Sequence, residues 1–452
     1  MIDWQAVTED ATDLLRRYVR IDTTNPPGNE RPAAEFLAEV LCERGLEPRL
    51  YESAPGRANL VARVPGERTN AGSERGPLLL LHHMDVVLAN ADAWSHDPCG
   101  GEVCDGYLYG RGALDMKCLG VMQLVALDLL RRSGRPFGRD VIFMAVADEE
   151  MEGRYGTGWM VDYHWDEIRP QVVWDEGGFG LSGLVGEGLV FYVAVAEKQV
   201  LWPRLVAHGQ PGLASVPRGN NPVDRLTQAL ERIRAHPQPP RLTPVTRVMF
   251  KRLAEAAGFP RSVLLKHVDS PLLWPLVGRA LARQPETNAM LRNLVTPTQL
   301  RAGSKENVIP GRATAGLDVR LLPDEDPDAF LEVLSRVIAD DRVEIELDQL
   351  PVRSSVSPFE SEFFSALERV LHCCVPGCLV VPTQTPGGTD SRFFRQRGVA
   401  AYGLIPIAID GGELSRMHGI DERISLDNLR LGTRVVYEVL QGVCCQPVTG
   451  SS

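Results

Sequence analysis

Apolar residues recur at helical spacing through Trp4, Val7, Ala11, Leu14, Leu15, Tyr18 and Val19, which predicts an amphipathic N-terminal helix. The breaker-dense run Thr23-Thr24-Asn25-Pro26-Pro27-Gly28 should follow its end. A second helix is predicted over residues 31–44. After an exposed stretch around residues 66–76 comes Leu78-Leu79-Leu80-Leu81-His82-His83, an apolar run that turns polar only at its end. Alternation is missing there, as expected of a strand buried on both faces. The pattern then predicts an amphipathic helix over residues 119–130 and buried strands over 140–146 and 171–174. Strands alternating with helices imply an α/β layered core around a mainly parallel sheet, with helices on both faces.

The texture changes beyond about residue 193. Short apolar segments near 205–207 and 313–321, a helical stretch over 221–234 and the Pro-rich run 236–240 suggest a smaller α+β unit, with a helical middle over about 242–290. From about residue 359 the α/β texture returns, with helices expected over 363–370 and 426–440 and frayed residues at 448–452. The expected organisation is a catalytic domain in two parts, residues 1–192 and 353–452, interrupted by an α+β lid and dimerisation domain over 193–352.

Composition narrows the function. The chain of 452 residues is 44% hydrophobic and 24% charged, the balance of an ordinary globular protein. Its net charge of −11 disfavours a nucleic-acid partner. No run reaches the length needed to span a bilayer, and residues 1–20 lack the basic-then-apolar order of a secretory signal, so a cytoplasmic protein without a membrane partner is expected. Nine cysteines without a second, correctly spaced Cys or His pair read as free thiols.

The residues able to do chemistry collect where predicted strands end, the place where open α/β sheets bind ligands. His83-Met84-Asp85 follows the first buried strand, Asp148-Glu149-Glu150 the second and Asp175-Glu176-Gly177 the third. Gly110-Arg111-Gly112-Ala113-Leu114-Asp115-Met116-Lys117 delivers one carboxylate ahead of a helix, and Met417-His418-Gly419 with Glu422-Arg423 lies far downstream. Each motif alone has a plainer reading: a hydrogen-bonded pair, a helix cap, an acidic turn. Together, two histidines and three or more carboxylates match the charge and donor chemistry of two divalent ions sharing one bridging carboxylate.

The order H-x-D, G-R-G-x-x-D-M-K, D-E-E, D-E-G and M-H-G-x-x-E-R closely resembles the metallopeptidase family of aminoacylase, acetylornithine deacetylase, succinyl-diaminopimelate desuccinylase and glutamate carboxypeptidase. The likeness runs nearly end to end, with support from residues 23–28, 94–98, 307–310, 318–320 and 387–392. The long segment ahead of Asn307 looks most like N-acyl-amino-acid hydrolase and carboxypeptidase-S-like members. The resemblance implies that His83 and Glu176 hold one metal, Glu150 and His418 the other, and Asp115 bridges. Asp85 would orient His83, and Glu149 would be the general base. Asn307, Arg320 and Arg392 match positions that contact substrate. The implied activity is hydrolysis of an amide in N-acyl amino acids or short peptides. The ions would be zinc, with cobalt or manganese as alternatives, and the assembly a homodimer.

One departure bears on rate. The family's lid carries a histidine that stabilises the oxyanion, where this chain has Leu213 within Gly209-Gln210-Pro211-Gly212-Leu213-Ala214-Ser215. Leucine donates no hydrogen bond, and losing one oxyanion donor costs on the order of 100- to 1000-fold. The alternative expectation is therefore a catalytically weak, metal-bearing protein that binds acylated amino acids or peptides. His82 also stands where the family has glycine.

Overall fold

The computed structural model describes residues 2–67, 75–183, 188–217, 219–347, 353 and 355–445. The expected frayed end, 448–452, and most of the exposed stretch near 66–76 lie outside them.

A ten-stranded sheet forms the larger layer. At its centre Leu78–His83 runs parallel to Val141–Val146 on one side and Val172–Asp175 on the other. Ala400–Gly403 continues the parallel run beside Val172–Asp175. The two faces of the central strand feed different cores. Leu78 and Leu80 pack in one apolar cluster with Val125, Phe143 and Val439, while Leu79 and Leu81 pack in another with Ile142, Met144 and Phe394. That two-sided burial is the reason for the unbroken leucine run. Helices Trp4–Val19, Lys117–Arg132 and Leu426–Cys444 cover the first face, and Thr157–Tyr163 with Ser391–Arg395 covers the second.

One edge of the sheet is an antiparallel hairpin, Arg49–Ala54 with Arg57–Val64. Toward the other edge, Leu189–Glu197 pairs in parallel with Leu379–Thr385. The chain leaves the large sheet after Glu197 and enters a five-stranded antiparallel sheet at Gln199–Leu201. Arg204–His208, Leu294–Ala302, Arg312–Leu321 and Val343–Glu346 complete this second sheet. Helices Pro222–Ala235 and Pro327–Ile338 seal one of its faces through Leu226, Ala229, Phe330 and Leu334. The helical segment between, beginning with Pro244–Leu253, packs instead on the large sheet, where Met249, Phe250 and Leu253 meet Val190 and Val381. All nine cysteines are free thiols. Among the described residues no helix is long and apolar enough to cross a membrane.

Candidate metal centre

The three parallel strands end at one level, and their last residues turn a set of acids and imidazoles toward each other. His83 closes its strand, buried, with Nδ1 bonded to the backbone carbonyl of Asp85 at 2.9 Å. This leaves Nε2 facing Asp115 Oδ1 at 3.3 Å and Glu176 Oε1 at 3.8 Å. The other Asp115 oxygen, Oδ2, lies 2.9 Å from His418 Nε2, which in turn is 3.3 Å from Glu150 Oε1. Asp115 thus divides its two oxygens between two groups. His83, Asp115 and Glu176 form one cluster able to hold a metal ion, and Asp115, Glu150 and His418 form the other.

Asp85 contacts more than His83. Its carboxylate sits 3.5 Å from His83 Nδ1, and it accepts the backbone N–H of Glu149 and of Glu150, each at 3.1 Å. Asn25 donates to it at 2.9 Å and also reaches Asp148 at 3.2 Å. Asp148 takes a left-handed φ of 71°, and Arg57 bonds it at 2.8 Å while pairing with buried Glu30. This buried network sets the turn that presents Glu149 and Glu150. His418 is likewise left-handed, at φ 58°. Left-handed non-glycine residues are costly and gather where the surroundings hold a functional geometry.

A second anchor joins the two halves of the site. Glu422 is fully buried, and its Oε1 accepts the backbone N–H groups of Gly112 at 3.1 Å, Leu114 at 2.7 Å and Asp115 at 3.0 Å. Oε2 takes Arg111 at 2.6 Å, and Arg111 also donates to the Gly419 carbonyl at 2.8 Å. The loop carrying Asp115 is thereby tied to the loop carrying His418. Glu422 and Arg111 stand in motifs visible in the sequence, but their function depends on a contact across more than 300 residues.

The electrostatics suit cations. Burial raises the Glu149 and Glu176 carboxyls well above their ordinary range, and neighbouring acids raise them further. Burial likewise pushes Asp175 up to about 6 and Asp390 up to about 7. Hydrogen bonds from His418 and His83 draw Asp115 down, against its burial. Glu150 Oε1 is buried without a well-directed hydrogen bond. Four carboxylates, on Asp115, Glu149, Glu150 and Glu176, match the charge of two divalent ions, and oxygen with imidazole nitrogen is the donor set such ions accept.

The remaining expected residues lie apart from these clusters. Arg392 donates to the carbonyls of Thr389 and Glu152 and stacks on Phe393; its positive charge lowers Glu149. Arg320 is paired with Asp318 at 2.7 Å on the second sheet. Asn307 is exposed, and its carbonyl accepts the Ala214 N–H at 3.1 Å. Leu213 is 64% exposed on the two-residue strand paired with Val308–Ile309.

A mainly parallel sheet with imidazoles and carboxylates gathered at its strand ends is the architecture of a metal-dependent hydrolase. The chain belongs to peptidase family M20/M25/M40, whose profile matches residues 79–442, and it is a metallo-amidohydrolase. It is 31% identical over 445 residues to the N-fatty-acyl-amino acid synthase/hydrolase PM20D1 of Xenopus tropicalis, covering 95% of this chain and 85% of that protein. It is 28% identical over 444 residues to human aminoacylase-1, covering 97% and 96%. Among solved structures, the M20 family metallo-carboxypeptidase Sso-CP2 from Sulfolobus solfataricus shares the fold, with a TM-score of 0.67 at 17% identity over 98% of this chain and 99% of that one.

Proposed function

We propose that the protein is a dinuclear metal-dependent amidohydrolase that cleaves an N-acyl amino acid or a short peptide and releases a free amino acid. The observation that carries this reading is the division of the two Asp115 oxygens between His83 and His418. In this reading His83 and Glu176 would hold one ion and Glu150 and His418 the other, with Asp115 available to both. When bound, the pair lowers the pKa of water and polarises the amide carbonyl. Zinc suits the mixed histidine and carboxylate set, and cobalt or manganese suits it too.

Glu149 is the general base. Its backbone is held by Asp85, and among the described residues its carboxylate accepts no hydrogen bond, so it is free to take a proton from water and return it to the leaving amine. Asp85 acts on the chemistry indirectly, by holding His83, Glu149 and Glu150 in register. Arg392, beside Glu149, would receive the substrate carboxylate with its planar fork once it lets go of the loop carbonyls. The second sheet is the lid. Its exposed tip, with Asn307 and Leu213, would complete the site of a second copy in a homodimer, and Arg320 would face substrate. The names of the PM20D1 and aminoacylase relatives support an acylated amino acid as substrate.

Glu149→Gln tests the assignment. Metal content should be unchanged while kcat falls about 100- to 10,000-fold. Undiminished turnover of N-acyl amino acids by that variant would remove Glu149 from its role.

A further inference from the structure

The five-stranded sheet has one sealed face and one open face. Along Arg312–Leu321 burial alternates strictly: Ala313, Ala315, Leu317, Val319 and Leu321 join the core beneath the helices. Arg312, Thr314, Gly316, Asp318 and Arg320 therefore project on the open side. Register decides what stands beside them. Gly316 pairs with Gln299 on one flank and Arg204 on the other, while Thr314 pairs with Arg301. Glycine brings no side chain to this position, so the surface drops to the backbone. The result is a cavity of about 260 Å³ lined by Arg204, Gln299, Arg301, Arg312, Thr314 and Gly316.

Three guanidinium groups line this pit, and among the described residues Glu346 is the carboxylate within 4 Å of Arg204 and Arg312. Glu346 lies 3.8 Å from Arg204 and 3.6 Å from Arg312, beyond hydrogen-bond distance from both. The Arg301 guanidinium makes no ion pair or hydrogen bond among the described residues. Glu344, the next acid along the strand from Glu346 on this face, does not line the cavity. A positive concavity on a chain of net charge −11 is a local reversal of sign, and such a pit concentrates anions. The open face also leads to the catalytic loop. Val200 pairs with Arg320, and its Cγ2 is 3.7 Å from where a Cβ on Gly388 would lie, in the loop bearing Asp390 and Arg392. From Arg320 to Gly316 is roughly 13 Å along the strand at about 3.3 Å per residue.

We propose that the pit formed by Arg204, Arg301 and Arg312 over Gly316 binds an anionic group, a carboxylate or a phosphate, carried at the end of the substrate remote from the scissile amide. The placement of that group on a substrate rests on the amidohydrolase reading above; the anion site itself does not. Planar guanidinium forks match both oxyanions.

The test uses the metal-loaded protein and the double variant Arg204→Ala/Arg301→Ala, whose replaced side chains are exposed. Calorimetric titration with glutarate and with inorganic phosphate should show saturable binding that the double variant weakens about 10-fold or more. Response to glutarate alone assigns a carboxylate, and response to phosphate alone assigns a phosphate. No binding to the native protein, or equal binding to the double variant, overturns the site. In parallel, long-chain N-acyl amino acids ending in a carboxylate should show a KM raised about 10-fold in the double variant at unchanged kcat, with their methyl-ester counterparts unmoved. If both substrate types shift equally, the pit does not read substrate charge. If neither is hydrolysed by the native protein, the amidohydrolase reading fails while the calorimetry still decides the site.

Discussion

Glu422 holds its charge with no exposure to water, compensated by three backbone N–H groups and the Arg111 guanidinium. Such a group positions others more than it reacts, because both of its oxygens are held by donors. Glu422→Gln keeps the shape but puts an amide donor against groups that are all donors. Supporting residues of this kind typically contribute 10- to 100-fold to metal affinity. Affinity at both proposed positions is therefore expected to fall by about that factor, while Glu149→Gln leaves it intact. Competition for zinc against a fluorescent chelator measures this, and equal affinities in native and Glu422→Gln protein would dismiss the anchor. His82 shows the same dependence on surroundings in an apolar setting. Burial pushes its imidazole down to about 3, so it packs neutral, with Nε2 3.3 Å from the Tyr18 hydroxyl. A Cβ on Gly120 would lie 2.4 Å from that ring, so the histidine found in place of the family's glycine relies on a glycine elsewhere. The acids and imidazoles were legible one by one in the sequence; that Glu422 grips the Asp115 loop was not, since hydrogen bonds between distant segments leave no periodic trace.

Among the elements, the strands buried on both faces could be read directly, because Leu78–His83 and Val141–Val146 have no solvent face to encode as polar positions. The hairpin of Arg49–Ala54 and Arg57–Val64 went unpredicted. Its outer strand is only partly buried and carries Arg49 and Glu52, so its pattern resembles a loop. The helical nature of residues 242–290 was legible, but its docking on Val190 and Val381 was not, since an apolar helix face does not say which sheet it meets. Lys198, where the chain passes between the sheets, is buried with Nζ on the Arg292 carbonyl at 2.6 Å. Burial, with Arg320 adding to it, lowers this lysine to about 7 from its ordinary value of 10.5. Between those two values the unfolded chain binds a proton that the folded chain lacks, so stability should rise with pH, by up to about 1.4 kcal/mol per unit. Urea unfolding at pH 7, 8 and 9 should show that rise in the native protein and a flatter profile in Lys198→Met. Matching slopes would mean that Lys198 is already protonated in the fold.

For the whole molecule, the site is assembled from segments as far apart as His83 and His418, so ions bound between them would hold the fold together as well as serve catalysis. A ligand bound only by the folded state at 100 times its Kd adds about 2.7 kcal/mol. Exhaustive dialysis against a chelator should therefore lower Tm by several degrees, and zinc, cobalt or manganese should restore it. A Tm indifferent to both treatments would argue against ions at the strand ends. The sequence by itself determined the kinds of side chain at each strand end, the α/β class and the family, because these depend on local pattern and on motif order. Only the tertiary structure decided that Asp115 stands between two histidines, that Glu422 joins their loops, and that three arginines meet over Gly316. Those relations depend on strand register and on contacts hundreds of residues apart, where small differences in distance set the chemistry.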